Sequence, residues 1–199
     1  MVKTKRVGSL DMPALGFGTF QARGEVCEKA VACALSEGYR LIDTAAAYGN
    51  EEAVGAAIKR SDVPRSDILV TTKVNFSSYE NARASVEKSL RLLGTDYLDL
   101  VLLHWPFGNY YAAWRVLEEM KKEGKIREIG VSNFDPDRLI DLSHFNSEDP
   151  VINQTETHLY CQRLREHGYE SSLGVAHEAY APLGQSRANE MFDEPAVRA

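Results

Sequence analysis

The chain has 199 residues, 44% hydrophobic and 26% charged, and carries a net charge of −6 at pH 7. That size and balance describe one globular domain with a full core and give no footing for a nucleic-acid or anionic-membrane partner. No apolar run approaches the ~20 residues that cross a bilayer, and MVKTKRVGSL lacks the apolar centre of a signal peptide, so the expected setting is cytoplasmic.

In chain order, KRVGSLDMPAL reads as a β-hairpin turning at Ser9–Asp11, a lid over one end of the domain. LGFGT (15–19) is the first strand-like run. From Glu25 a helix places Val26, Ala30, Val31, Ala34 and Leu35 on one face and stops at Gly38. Cys27 and Cys33 share that stretch and read as small core-facing residues. With Cys161 they are odd in number and lack metal-ligand spacing, so no metal is expected. RLIDTA (40–45) is the second run, and Asn50 caps the next helix with Glu51 and Glu52 in its first turn. ILVTTKV (68–74) is the third. Ser77 and Glu80 have capping-box spacing ahead of Val86, Leu90 and Leu93 on one face, up to Gly94. YLDLVLLHW (97–105) precedes a helix with Trp114, Leu117 and Met120, ending at Gly124. KIREIGVSN (125–133) precedes one starting at Asp135-Pro136, with Leu139 and Ile140 behind it. VINQTETH (151–158) precedes the weakest helix, 162–173, where Gly168 interrupts a poor stripe. VAHEAYAPL (175–183) leads into a loop and a last helix start at Asp193-Glu194-Pro195.

Strand and helix alternate at intervals of roughly 23–30 residues, the βα unit of an α/β (β/α)8 TIM barrel of ~250 residues. Seven of eight strands are encoded. Residues 1–199 are therefore expected to form a single barrel domain that lacks its last strand and helices. An intact barrel would be a monomer. Here the edges at LGFGT and VAHEAYAPL would be open to association.

Asp43, Tyr48, Lys73 and His104 sit at or just past the C-terminal ends of three of these runs, the rim where such barrels carry their chemistry. Tyrosine, with a pKa near 10, is a poor acid at neutral pH. A nearby ammonium favours tyrosinate and lowers that pKa, and a buried lysine needs a carboxylate to stay charged. Tyr48 is thus the candidate acid, Lys73 and Asp43 the pair that tunes it, and His104 a hydrogen-bonding partner for a carbonyl oxygen. Taken singly each has an ordinary structural explanation, as core, cap or solvated surface. Phe20 and Trp105 are candidates for an apolar substrate wall, with core packing as their ordinary reading. No G-x-G-x-x-G follows a strand, which removes a Rossmann reading.

The stretches GFGTF, GYRLIDTAAAYGNE, KEGKIREIGVSNF, NQTETH and EAYAPLG resemble the aldo-keto reductase family over almost the whole chain. HWPFGNYYAAWRVLEEMKKEGKIREIGVSNF and HEAYAPLG resemble its bacterial 2,5-diketo-D-gluconate reductase-like branch. The resemblance implies NADPH-dependent reduction of a small-molecule aldehyde or ketone. Tyr48 would be the proton donor, Asp43, Lys73 and His104 its catalytic companions, and His104 would also orient the substrate. It further implies that Ser132, Asn133 and Gln154 hold the nicotinamide carboxamide and Tyr180 stacks on the ring. Gly18 and Thr19 would admit the cofactor closely, and Leu183 would lie along its pyrophosphate. His158-Leu159-Tyr160 departs from the branch, which has Asn or His followed by Pro. The family's 2′-phosphate-binding segment lies beyond VAHEAYAPL, so the NADPH preference comes from relatives and NADH stays open. Two readings compete. One is a cofactor-binding or regulatory barrel with little turnover. The other is a barrel enzyme of phosphate-loop type, for which the segment is missing.

Overall fold

The computed structural model describes residues 3–198. An antiparallel hairpin opens the chain, β1 (Thr4–Val7) paired with β2 (Leu10–Pro13). Its turn is Gly8–Ser9 rather than Ser9–Asp11, because Val7 pairs with Leu10 and Gly8 takes the left-handed backbone (φ 54°) that a two-residue loop demands. Val7, Leu10 and Met12 pack against Leu41, Leu100, Leu102 and Ile152, plugging one end of the sheet behind them.

That sheet has seven parallel strands in sequence order: β3 (Phe17–Gly18), β4 (Leu41–Asp43), β5 (Leu69–Val74), β6 (Leu98–Leu103), β7 (Ile126–Ser132), β8 (Ile152–Glu156) and β9 (Ala176–Tyr180). Six helices form the crossovers: α1 (Gly24–Ser36), α2 (Glu51–Arg60), α3 (Ala82–Leu93), α4 (Tyr110–Lys122), α5 (Pro136–His144) and α6 (Leu164–Ser172). The result is a nearly closed (β/α) barrel, as the sequence predicts. Among the described residues β3 and β9 pair on one side only.

The strand period of two sorts side chains into two populations. Ile42, Val70, Val101, Leu103, Ile129 and Val131 face the helices and share one core with Val31, Val86, Trp114 and Leu139. Leu41, Leu100, Leu102 and Ile152 face the lumen and meet the hairpin. Two residues further along the same lumen-facing rows stand Asp43, His104 and Gln154. Gly130 has no Cβ for a steric reason, since one there would lie 2.6 Å from Ile152 Cγ2 and 2.8 Å from Leu102 Cδ2.

Four expectations are corrected. The α1 stripe is Cys27, Val31, Ala34 and Leu35. Val26, about 100° from Cys27, is 70% exposed, and Cys33 is also exposed. Ser77 and Glu80 do not open a helix, because a 3₁₀ segment (Phe76–Asn81) intervenes and α3 begins at Ala82. Asn50 stands at the start of α2 but its side chain does not cap it. The loop expected after β9 contains a 3₁₀ turn (Gln185–Arg187) and α7 (Ala188–Asp193), ahead of α8 (Pro195–Arg198).

Candidate active site

The C-terminal strand ends open into a cleft of about 1190 Å³, lined by Gly18, Phe20, Asp43, Tyr48, His104, Trp105, Ser132, Asn133, Gln154, Glu178 and Tyr180, among others. It takes in the rim that the strand pattern singles out and continues to the hairpin, where Lys5, Val7 and Met12 line it.

Lys73 is the centre of the polar layer. Its side chain is 1% exposed, and Nζ donates to Asp43 Oδ1 and Oδ2 at 2.5 and 2.7 Å and to the Thr44 carbonyl at 3.0 Å. Burial is the largest influence and works against the ammonium, but Asp43, Tyr48 and Glu178 together outweigh it and the Lys73 pKa lies above its ordinary value. Lys73 is therefore a cation at all physiological pH. Its Nζ stands 5.2 Å from the centre of the Tyr48 ring.

Tyr48 is delivered by a 3₁₀ turn (Ala46–Tyr48) that Gly49 closes in the left-handed region (φ 65°). Asn50 holds this turn to its neighbours. Its Oδ1 accepts from the Thr44 hydroxyl at 2.7 Å, and its Nδ2 donates to the carbonyls of Thr19 and Ala22 at 2.9 and 3.0 Å. Those three bonds are why Asn50 does not cap α2. The expected lowering of the Tyr48 pKa by Lys73 is present, but burial is the larger effect. With Asp43 adding to it, the net direction is upward. A ligand that needs a proton from Tyr48 must itself supply the rest of the driving force.

His104 is held neutral. Burial and the Lys73 ammonium push its pKa down to about 4, against the smaller pull of Asp43. Its Nδ1 is sealed from solvent with no partner among the described residues, which leaves Nε2 to serve a ligand. The shift has a consequence for stability. Between about pH 6.5 and 4 the unfolded chain binds a proton at this position that the folded protein refuses. Stability contributed by the neutral ring is thus present above that window and lost as pH falls through it, by roughly 2 kcal/mol for a partly solvated ring. His104→Gln is expected to flatten the acid limb of urea midpoint against pH in that window. An unchanged limb would contradict the assignment.

The strand end that carries His104 is fixed by a residue that the sequence pattern does not single out. Tyr79 is buried, donates its hydroxyl to the Trp105 carbonyl at 2.7 Å and accepts from the Trp105 amide at 3.2 Å. A row of rings then runs along the rim. Phe20 meets Tyr48 (5.0 Å between centroids), Tyr48 meets His104 (5.9 Å), His104 meets Trp105 (6.2 Å), Trp105 meets Phe107 (5.7 Å) and Phe107 meets Phe76 (5.6 Å). Phe20 and Trp105 are expected in such a wall from the sequence; Phe107 and Phe76 are not.

The opposite wall carries the residues expected to hold a nicotinamide. Asn133 sits in the left-handed region (φ 63°), which Asn tolerates better than most residues. Its Nδ2 donates to the His104 carbonyl and to Ser132 Oγ, both at 3.0 Å, while its Oδ1 accepts from the Tyr180 hydroxyl at 3.0 Å. Ser132 Oγ donates to the Gln154 carbonyl at 2.8 Å, and Gln154 Nε2 donates to Asp43 Oδ2 at 2.9 Å. Two amides and a phenol ring, held by one another, suit a planar aromatic carboxamide. A Cβ added at Gly18 would meet nothing within 4 Å, so the rim there is open to a ligand. Thr19 and Leu183 are placed differently. Thr19 is buried with its hydroxyl on the Asp43 carbonyl at 3.0 Å, and Leu183 is 58% exposed; neither lines the cleft. Glu178, which the sequence pattern also passes over, stands among these groups.

Comparison with known proteins identifies the family and the fold. The model of the Aldo/keto reductase family matches residues 14–196. Methylglyoxal reductase DkgA of Escherichia coli is 40% identical over 190 residues, covering 94% of this chain and 69% of that protein. The crystal structure of an aldo/keto reductase from Brucella melitensis superimposes with a TM-score of 0.93 at 38% identity, over 100% of this chain and 77% of that one. A Bombyx mori aldo-keto reductase, solved in complex with NADP, gives 0.81 at 31% identity, over 86% and 63%. The chain spans about two thirds of the length of the curated relatives it matches, from 65% to 69%.

Proposed function

Because the chain belongs to the aldo/keto reductase family, we propose that it reduces an aldehyde or ketone to the alcohol, with NADPH as the reductant and Tyr48 as the proton donor. The observation that carries this reading is the buried Lys73–Asp43 pair set beside Tyr48, with neutral His104 across the same cleft. The reduced nicotinamide supplies a hydride when bound. Everything else falls to the chain's own residues.

His104, uncharged, donates Nε2–H to the substrate oxygen and aims the carbonyl. A charged imidazolium would compete with Tyr48 as acid, and its depressed pKa prevents that. As negative charge develops on the oxygen, Tyr48 Oη releases its proton to it. The tyrosinate left behind is stabilised by the Lys73 ammonium, which Asp43 keeps charged. The raised pKa of Tyr48 fits this order of events, because the proton should leave only when hydride transfer makes the oxygen basic. Asn133 and Gln154 would hold the carboxamide and Tyr180 would cover the ring, so these residues would orient the hydride donor toward the carbonyl. The aromatic row from Phe20 to Phe76 keeps water from the carbonyl. NADPH over NADH is inferred from the likeness to a relative solved with NADP.

The test is loss of NADPH absorbance on addition of a panel of small aldehydes and ketones, methylglyoxal included. Turnover with at least one substrate above the Tyr48→Phe background is the expected result. Quenching of tryptophan fluorescence by NADPH without turnover on any of them would favour a cofactor-binding role instead.

A further inference from the structure

We propose that Glu178 is a positioning residue of this site, whose ionisation sets the acidity of Tyr48 through Gln154 and the Asp43–Lys73 pair. The inference rests on the reductase reading. Glu178 lies on β9 directly across from Gln154 on β8. Gln154 Nε2 donates to Asp43 Oδ2, the same oxygen that accepts from Lys73 at 2.7 Å. The residue as a whole is half-buried on an edge strand, yet its Oε2 is sealed from solvent and has no hydrogen-bond partner among the described residues. A carboxylate left unpartnered in that position is costly, and a carboxylic acid much less so.

The groups around it decide which form it takes. Asp43 faces it from β4, Lys73 from β5 and Gln154 from β8. Tyr48, His104 and Tyr180 line the same cleft, and Lys5 reaches it from β1. On β9 itself His177 turns to the other face, where its Nδ1 is 2.6 Å from Glu170 Oε2 and its Nε2 is 2.9 Å from Thr157 Oγ1. Lys73 is already committed to Asp43 and the Thr44 carbonyl. Glu178 is thus a second carboxyl beside one ammonium. Burial and the Asp43 charge raise its pKa to about 7, against weaker opposing pulls from Gln154, Lys73 and His177.

Below that value the layer is electrically balanced, Asp43 against Lys73. Above it Glu178 adds a negative charge and competes with Asp43 for the Gln154 amide. Negative charge near Lys73 offsets its support of the tyrosinate, so Tyr48 becomes a weaker acid and a stronger base. Carbonyl reduction is then favoured on the acid side of neutrality and alcohol oxidation on the alkaline side, beyond the bias that the overall reaction's own proton imposes. A buried carboxyl is the device, and Gln154 is the link by which it also reaches the nicotinamide-holding wall.

The experiment compares wild type with Glu178→Gln, which mimics the protonated form at every pH, and with Glu178→Asp, which restores an ionisable group. For each protein two quantities are read between about pH 5.5 and 8.5. The first is its own ratio of reductive kcat/KM at low to high pH. The wild-type ratio is expected to exceed that of Glu178→Gln by about threefold, the partial Brønsted response to a change of about one pKa unit on Tyr48, with Glu178→Asp restoring part of it. The second is the urea midpoint. A carboxyl whose folded pKa is raised contributes stability at low pH that is lost as pH rises from its unfolded value toward about 7. Glu178→Gln should therefore gain in midpoint on wild type as pH rises, and in an Asp43→Asn background that gain should move to lower pH. Parallel kinetic profiles for wild type and Glu178→Gln would overturn the proposal, as would a midpoint difference that does not change with pH. If wild type reduces no carbonyl at any pH, the reductase reading fails on its own. The midpoint series still decides whether Glu178 titrates against Asp43 and Lys73.

Discussion

A protein carrying Tyr48→Phe is expected to lose carbonyl turnover by about 10²–10⁴-fold, the worth of a positioned general acid, while retaining its fold and its affinity for NADPH. The substitution deletes one oxygen and keeps the ring, so the contacts of that ring with Phe20 and His104 persist. Neither Asn133, Gln154 nor Tyr180, the groups proposed to hold the nicotinamide, depends on the lost hydroxyl. The loss should therefore fall on kcat more than on the dissociation constant of NADPH, because the proton is needed only in the transition state. Single-turnover rates are the measurement to use, since product release can hide a slower chemical step. Retention of more than about a tenth of the wild-type chemical rate would assign the proton to another group.

How far the sequence leads to this site depends on whether a residue breaks a pattern. Asp43, Lys73 and His104 interrupt or end runs of Val, Leu and Ile, and a charged residue at a strand end has to be explained. Tyr48 stands just past RLIDTA, where the Lys–Asp pair gives it a role and the resemblance supports it, and the strand period of two is enough to place the barrel and its active rim. Glu178 gives no such signal. In VAHEAYAPL it sits on a short, weakly apolar run, and its meaning comes from β8 and from Asp43 across the barrel, which only closure of the sheet brings near. Tyr79 is hidden for a similar reason, because SSYEN reads as a helix start and folds as a 3₁₀ turn whose tyrosine reaches the end of β6. Asn50 shows the limit of local rules. It has the right residue type at the right place for a cap, yet three bonds to Thr19, Ala22 and Thr44 use the side chain instead.

Lys73→Met is expected to damage both stability and chemistry. The long apolar replacement fills the stem's space but leaves the largely buried Asp43 with Gln154 as its remaining side-chain donor and with solvent only at the edge of the cleft. Removing one partner of a buried ion pair costs about 3–5 kcal/mol, chiefly through the stranded charge. Tyr48 loses the one nearby group that draws its pKa down, while the effects that raise it, burial first, remain. Reduction at neutral pH should fall by at least about a hundredfold. Asp43→Asn strands the ammonium instead, and burial then drives Lys73 toward its neutral form. The double variant removes both charges together, so it should be more stable than the sum of the two single losses allows, and no less active than the worse of them. The pair also leaves a mark on pH dependence. Because the folded pKa of Lys73 is raised, the stability it contributes is complete at neutral pH. That stability is lost only as pH climbs past the ordinary lysine value of 10.5. Wild type should show that alkaline loss in urea midpoints and Lys73→Met should lack it. Strict additivity in the double variant, or an alkaline limb that survives in Lys73→Met, would mean that Asp43 and Lys73 do not act as one unit and that the tuning of Tyr48 has another source.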